Sequence, residues 1–339
     1  MQARILVGIL NWGLGHAARS IPVIRDFMAR GFEPVIVSDG LALDFLRNHF
    51  PEAVFEKWPS LRIRYPENPN LFPVFIAENA LRNLKNIAAE RHRVSELVQR
   101  YRPKVIFSDN RPFFRHPGVH SIYMTHQLQV PAGRFQKTAS RLHRRWMDAF
   151  DEIFVPDYAL PPGLSGRLGH PGENIPAVKY IGPLTRFHSK GPDIPTDWLL
   201  LLSGPEKQRT LLEKLLIRHQ NLFGGRVCLV RGTDRIPRLE YPAHWEVFDL
   251  LHGRALAARI RGARKILSRS GYTSVMDWFL LRKKAVLVPT PGQGEQEYLA
   301  RHLAKTRLFP FVEQTHLEQI AHVRYEQYYR FDTLKPAYT

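Results

Sequence analysis

Two stretches of this sequence carry residue types that chemistry could use. The first is "NWGLGHAARS", residues 11–20, which follows directly on the apolar run "RILVGIL". A strand that runs into glycines and then a helix offers backbone N–H groups and a positive helix end to an anion, the usual setting for a phosphate or a nucleotide. Gly13 and Gly15 form that turn. His16 adds an imidazole that titrates near neutral pH, as a general base must. Asp109 closes the run "KVIFSD", where it can orient His16 or be the base itself. His126 and Gln127 stand at the carboxyl end of a further strand-like run, "HSIYMTHQ".

The second stretch is "ILSRSGYTSVMDWFLLRKKAVLVPTPGQGEQEYLARHL". A strand again ends in a glycine turn, Ser270-Gly271, and a helix begins at about Thr273. Asp277 lies one helical turn in, placed to accept hydrogen bonds from vicinal hydroxyls such as those of a ribose. The loop "PTPGQGEQ" then brings Gln293, Glu295 and Gln296 to the carboxyl end of the last strand. Open α/β sheets bind their ligands at that edge. A carboxylate beside an amide suits sugar hydroxyls. Read alone, the first loop also fits a G-x-G-x-x-A dinucleotide pattern, with Asp39 ending the second strand 24 residues after Gly15. Because the second half already offers a complete nucleotide site, Asp39-Gly40 is read as a turn.

These residues need elements to hold them. Apolar runs of strand length alternate with helical periodicity through residues 4–186: "RILVGIL", "EPVIVSDG", "KVIFSDN", "HSIYMTHQ", "EIFVPD" and "AVKYIGP" read as strands. A Pro-rich irregular stretch runs from Lys57 to Pro73, an amphipathic helix from Phe75 to Tyr101, and a basic helix from about Phe135 to Ala149. After the break at "TRFHSKGPDIPTDW" the rhythm restarts with "WLLLLSG", "GRVCLVRG", "HWEVFDL", "ARKILSRSG" and "KAVLVPT". Such alternation implies parallel sheets with helices on both faces. The expected organisation is an N-terminal domain over 1–186, a linker over 187–197, a second domain over 198–318, and a tail over 319–339 that packs back on the first domain.

The segment Ser268–Leu303 resembles the nucleotide-sugar-binding segment of glycosyltransferase family 28, the MurG-type enzymes of the GT-B superfamily. "GLGH" is similar to that family's N-terminal glycine-rich loop, "MTHQLQVPAG" to its histidine-glutamine segment, and "YIGPLTR" to its interdomain strand. The resemblance implies an α/β fold of two Rossmann-like doubly wound domains facing a central cleft. It implies an inverting, metal-independent hexosyltransferase that takes a UDP-sugar and needs no cofactor. Ser270, Gly271, Thr273 and Ser274 would bind the diphosphate, and Asp277 takes the place of the family's ribose-binding glutamate. Gln293, Glu295 and Gln296 would hold the donor sugar. His16 would face the reacting sugar from the acceptor side, where Gly13, Gly15, His126 and Gln127 lie. The first loop is poorer in glycine than MurG's, and the acceptor stays open between lipid and glycan.

Composition narrows the field. The single cysteine, Cys228, excludes an internal disulfide framework. No apolar run approaches the roughly 20 residues of a membrane span, and the N-terminus has no signal-peptide core, so the cytoplasm is expected. No two aspartates stand two residues apart, so the D-x-D device that holds a metal-diphosphate is missing. The net charge of +18 points to an anionic partner. Residues 1–190 hold 26 Lys+Arg and 16 Asp+Glu, a net of +10, which leaves +8 for the rest. The helix "RFQKTASRLHRRW" carries five basic residues and no acid, with Phe135, Leu142 and Trp146 between them. It reads first as a solvated helix face, and among functional roles it favours an anionic membrane surface, the inner face, over nucleic acid. Two rival functions remain: a nucleotide-sugar hydrolase or epimerase on the same fold, and a basic nucleic-acid- or membrane-binding protein with a degenerate nucleotide site.

Overall fold

The computed structural model describes residues 2–59, 72–130, 136–172, 175, 177–188, 190–234, 236–237 and 239–334, with backbone alone at 72–84. Most of the expected Pro-rich stretch, and Phe135 of the basic helix, lie outside the described residues. The chain divides into two compact units, with Met1–Arg186 in the first and Phe187–Lys335 in the second.

In the first unit the elements follow as β1 (Ala3–Ile9), α1 (Leu14–Ala29), β2 (Phe32–Ser38), α2 (Gly40–His49), β3 (Val54–Lys57), α3 (Phe72–Tyr101) and β4 (Val105–Asp109). Then come β5 (His120–Met124), α4 (Gln136–Met147), β6 (Glu152–Val155) and β7 (Val178–Tyr180). The strands pair in parallel in the order β3-β2-β1-β4-β5-β6-β7. Strand β1 is apolar from Ile5 to Ile9 because both of its faces are covered there. Ile5, Val7 and Ile9 pack under α1 and α2 with Ile21, Ile24 and Leu46, whereas Leu6 joins Val94, Leu97 and Phe114 on the other side. Each such fully buried aliphatic side chain contributes about 1.5–3 kcal/mol. Gly8 is required by this packing, since a Cβ there would sit 2.3 Å from the Phe114 ring.

Chain order reverses between β1 and β4: the chain winds outward through β2 and β3, then returns to lay β4 on β1's other side. Leu10 N–H donates to the Asp109 carbonyl at 3.2 Å, so the carboxyl ends of these two strands are joined. Strand β3 was not expected from sequence. It is a four-residue edge strand with both end residues exposed, and its polar Glu56 and Lys57 hide the strand period.

The second unit holds β8 (Thr196–Leu201), α5 (Glu206–Arg218), β9 (Val227–Val230), β10 (Trp245–Phe248), α6 (Gly253–Gly262), β11 (Ala263–Ser268), α7 (Tyr272–Leu280), β12 (Ala285–Leu287) and α8 (Gly294–Lys305). Its parallel sheet runs β10-β9-β8-β11-β12, with the reversal between β8 and β11. The described part of the closing stretch, residues 319–334, falls within the second unit. Ile320, Val323 and Tyr325 pack on the second unit's core with Trp198 and Leu317, and Phe331 lies 5.7 Å from both Phe279 and Phe309. Apolar residues spaced through the segment give it a face to bury there.

Candidate functional site

At the β1/β4 reversal, Gly13 caps α1 with φ +70°, a conformation in which any Cβ is strained. The turn puts His16, Arg19 and Ser20 on one face of α1, at positions i, i+3 and i+4. All three meet Asp109, the last residue of β4. His16 Nδ1 lies 3.0 Å from Asp109 Oδ1. Arg19 Nε donates to Oδ2 at 2.9 Å and to Oδ1 at 3.2 Å, and its Nη2 also donates to Oδ1. Ser20 Oγ donates to Oδ2 at 2.8 Å. His126, from the loop after β5, completes the cluster through its Nδ1, 2.8 Å from Arg19 Nη1. Gln127 follows, half-buried, its backbone N–H held by Thr125 Oγ1 at 3.1 Å. Gly15 lies in the first turn of α1.

Charge in this cluster is tightly set. Burial alone would raise the Asp109 carboxyl, but Arg19 and His16 outweigh it and hold the group well below the ordinary carboxylate range. Burial, then the neighbouring Arg19 charge, lower the His16 imidazole against the pull of Asp109. A proton on Nδ1 donated to Asp109 leaves Nε2 as a proton acceptor. The His16 side chain keeps 14% of its surface exposed, while Asp109 exposes none.

In the second unit the glycine turn and the proline-rich loop leave the carboxyl ends of the adjacent strands β11 and β12. Gly271 caps α7, and Thr273 and Ser274 lie half-buried in its first turn, at the positive end of the helix. The two loops are tied together, since Ser270 Oγ donates to the Gln296 carbonyl at 2.8 Å. The Gln296 side chain is engaged as well: its Oε1 accepts from Thr290 N–H at 3.0 Å and its Nε2 donates to Gln293 Oε1. Both glutamines thus shape the loop in addition to any ligand contact. Glu295 stands half-buried in the first turn of α8, and Asp277 is 5% exposed in the second turn of α7.

Residues 3–131 match the family described as glycosyl transferase family 1. An uncharacterized glycosyltransferase of Methanosarcina acetivorans is 26% identical over 200 residues, which is 54% of this chain and 50% of that protein. The chain thus spans half the length of that relative. Among solved structures, the spinosyn rhamnosyltransferase SpnG superposes with a TM-score of 0.66 at 14% identity, over 94% of this chain and 90% of its own. The calicheamicin glycosyltransferase CalG4 gives 0.65 at 14% identity, over 98% and 94%. MurG of Acinetobacter baumannii gives 0.57 at 12% identity, over 98% and 93%.

The chain has the GT-B fold.

Within this GT-B chain, two arginines were not anticipated from sequence. Arg19 has no role among the sequence expectations, yet it is 2% exposed. The available signal was its spacing, one helical turn beyond His16. Arg269, in the turn before Gly271, is 1% exposed and donates to neutral oxygens. These are the Val288 carbonyl at 3.2 Å, the Pro289 carbonyl at 3.3 Å, the Gln208 carbonyl at 2.9 Å and Gln314 Oε1 at 2.7 Å. Burial pushes its guanidinium down to about 10. It braces the turn from beneath, joining both loops of the GT-B second unit to α5 and to Gln314.

Proposed function

We propose that this protein is a glycosyltransferase that moves a sugar from a UDP-sugar to a hydroxyl acceptor, with inversion and without a metal. The observation that carries the reading is the His16–Asp109 hydrogen bond at the strand reversal of the first unit, 3.0 Å long. A carboxylate held this low takes up no proton near neutrality, so Asp109 orients and His16 is the base. Deprotonated by His16 Nε2, the acceptor hydroxyl attacks the anomeric carbon, the carbon–oxygen bond to the diphosphate breaks, and the diphosphate leaves. Double displacement needs a carboxylate free to attack the anomeric carbon. Asp109 is fully covered by Arg19, Ser20 and His16 and is not such a nucleophile, which supports inversion.

The leaving diphosphate is assigned to the α7 N-terminus. There the helix end supplies positive potential at the place where charge develops. Asp277 is assigned to the ribose, and Gln293, Glu295 and Gln296 to the sugar. Glycosyltransferases related in sequence and fold support this class of reaction. One of them, the spinosyn rhamnosyltransferase, has been solved complexed with thymidine diphosphate and with spinosyn aglycone. The donor base is therefore decided by a screen of UDP- and dTDP-sugars in EDTA, read as thermal stabilisation. A native-state ligand at 100 times its Kd adds about 2.7 kcal/mol. UDP is expected to stabilise the protein, and Asp277→Ala to weaken its binding by about 1–3 kcal/mol. Unchanged UDP affinity in that variant, or binding that vanishes in EDTA, overturns the donor assignment.

A further inference from the structure

The reaction proposed above has no direct use for Arg19, yet this residue reaches Asp109 and both histidines of the first-unit cluster. Its Nε and Nη2 grip both Asp109 oxygens, and the same Nη2 lies 3.0 Å from His16 Nδ1. Its Nη1 lies 2.8 Å from His126 Nδ1. A forked guanidinium holds a carboxylate in one plane and one rotation, which a flexible ammonium does not. With Ser20 on the outer oxygen, Asp109 is left a single orientation, the one that turns Oδ1 toward His16 Nδ1.

A lone carboxylate on an imidazole raises its basicity, because the anion stabilises the imidazolium. Here the carboxylate does not act alone. Among the described residues, the titratable and charged groups that face His16 are Asp109 from β4, Arg19 from its own helix, and His126 from the loop after β5. Asp109 and Arg19 are opposite charges at the same distance from Nδ1, 3.0 Å each, and their effects on an added proton largely cancel. What remains is burial, which disfavours the charged ring.

We propose that Arg19 is a positioning residue that fixes the Asp109 carboxylate and cancels its charge, so that His16 stands as a neutral, oriented imidazole throughout the neutral pH range. In this arrangement Asp109 supplies direction to the base without making it more basic. The consequence for the reaction is that activity extends to more acid pH than an Asp–His pair without the arginine would permit. The inference rests on the reading of His16 as the base for its role in catalysis, but its charge balance is measurable with no substrate.

The test is an NMR titration of isotope-labelled histidines in the full chain, with the His16 signal assigned by its loss in His16→Gln. In the wild-type protein, His16 is expected to titrate below the ordinary imidazole value of about 6.5. In Arg19→Gln the midpoint is expected to rise past that value, because Asp109 then acts unopposed. In Arg19→Lys, which retains charge and loses the fork, it is expected to stay low. A wild-type midpoint above the ordinary value overturns the proposal without any variant. So does a midpoint in folded Arg19→Gln that stays at or below that of the wild type, and Arg19→Lys decides if the Gln variant fails to fold: a midpoint risen past the ordinary value overturns it. An arginine with a merely structural role would lower stability in both variants and leave the midpoint where it was. Since the titration reads protons, and the donor screen reads nucleotides, failure of one is distinguishable from failure of the other.

Discussion

His143 faces the interior from α4, its ring 6.2 Å from that of Tyr123 and 6.3 Å from that of Trp146. Its buried Nε2 has no hydrogen-bond partner among the described residues, and burial pushes the imidazole down to about 4. In the unfolded chain the same group titrates near 6.5. Below that pH the unfolded chain takes up a proton that the folded protein refuses, so stability falls as pH drops from about 6.5 to about 4 and levels off beneath. A gap of about 2.5 units corresponds to about 3 kcal/mol. His16 is lowered too and adds a slope of the same sign. Urea unfolding measured across this window is expected to show the loss, and His143→Phe to flatten most of it. An unchanged slope in that variant would place the acid sensitivity elsewhere.

At the scale of elements, α4 separates into two faces. His143 and Met147 are buried and Trp146 packs edge-on against Phe113 at 5.4 Å, so the aromatic residues of this helix serve the unit's own core. Lys137, Arg141 and Arg145, spaced four apart, are exposed on the other side, while Arg144 bonds Asp148 at 3.3 Å. Contact with an anionic surface would therefore be electrostatic, worth about 1 kcal/mol per basic residue. Co-sedimentation with anionic but not neutral vesicles is the expected result, released as salt passes about 0.15 M. Replacing Lys137, Arg141 and Arg145 with Gln should abolish it. Equal binding to neutral vesicles would refute an electrostatic contact.

Elements also differ in how plainly the sequence announces them. Buried parallel strands such as "RILVGIL" and "KAVLVPT" stand out because both faces must be apolar, and the glycine turns mark where they end. Strand β3 is half-exposed at an edge and carries no such pattern. Two side chains were hidden for another reason. Arg19 and Arg269 are buried by partners distant in sequence, Asp109 in one case and carbonyls of β12's loop and α5 in the other. A charged residue is almost always exposed unless paired, and pairing across 90 positions leaves Arg19 no local trace beyond its helical spacing from His16. Ile320 and Val323 of the closing stretch pack on the second unit's core, and apolar spacing shows that a segment will be buried without showing which core will take it.

Over the whole molecule, each unit repeats one plan, a parallel sheet with a strand reversal. The candidate residues lie at the carboxyl ends of β1 and β4 in the first unit and of β11 and β12 in the second. The first unit carries the proposed base and the second the proposed nucleotide site, so binding and reaction are separable by residue. Among the described residues no helix is long and apolar enough to cross a membrane, and the charge of +18 is spread over both units. The central claim is that His16 removes a proton from the acceptor while the donor is held elsewhere. It is tested most directly by mass spectrometry of sugar transfer from the stabilising donor to a panel of lipid and glycan acceptors, with wild type and His16→Ala run side by side and UDP affinity measured for both. Transfer is expected to fall about 10²–10⁴-fold in the variant while UDP affinity is unchanged. Transfer within a fewfold of wild type, or UDP affinity lost together with activity, would contradict it.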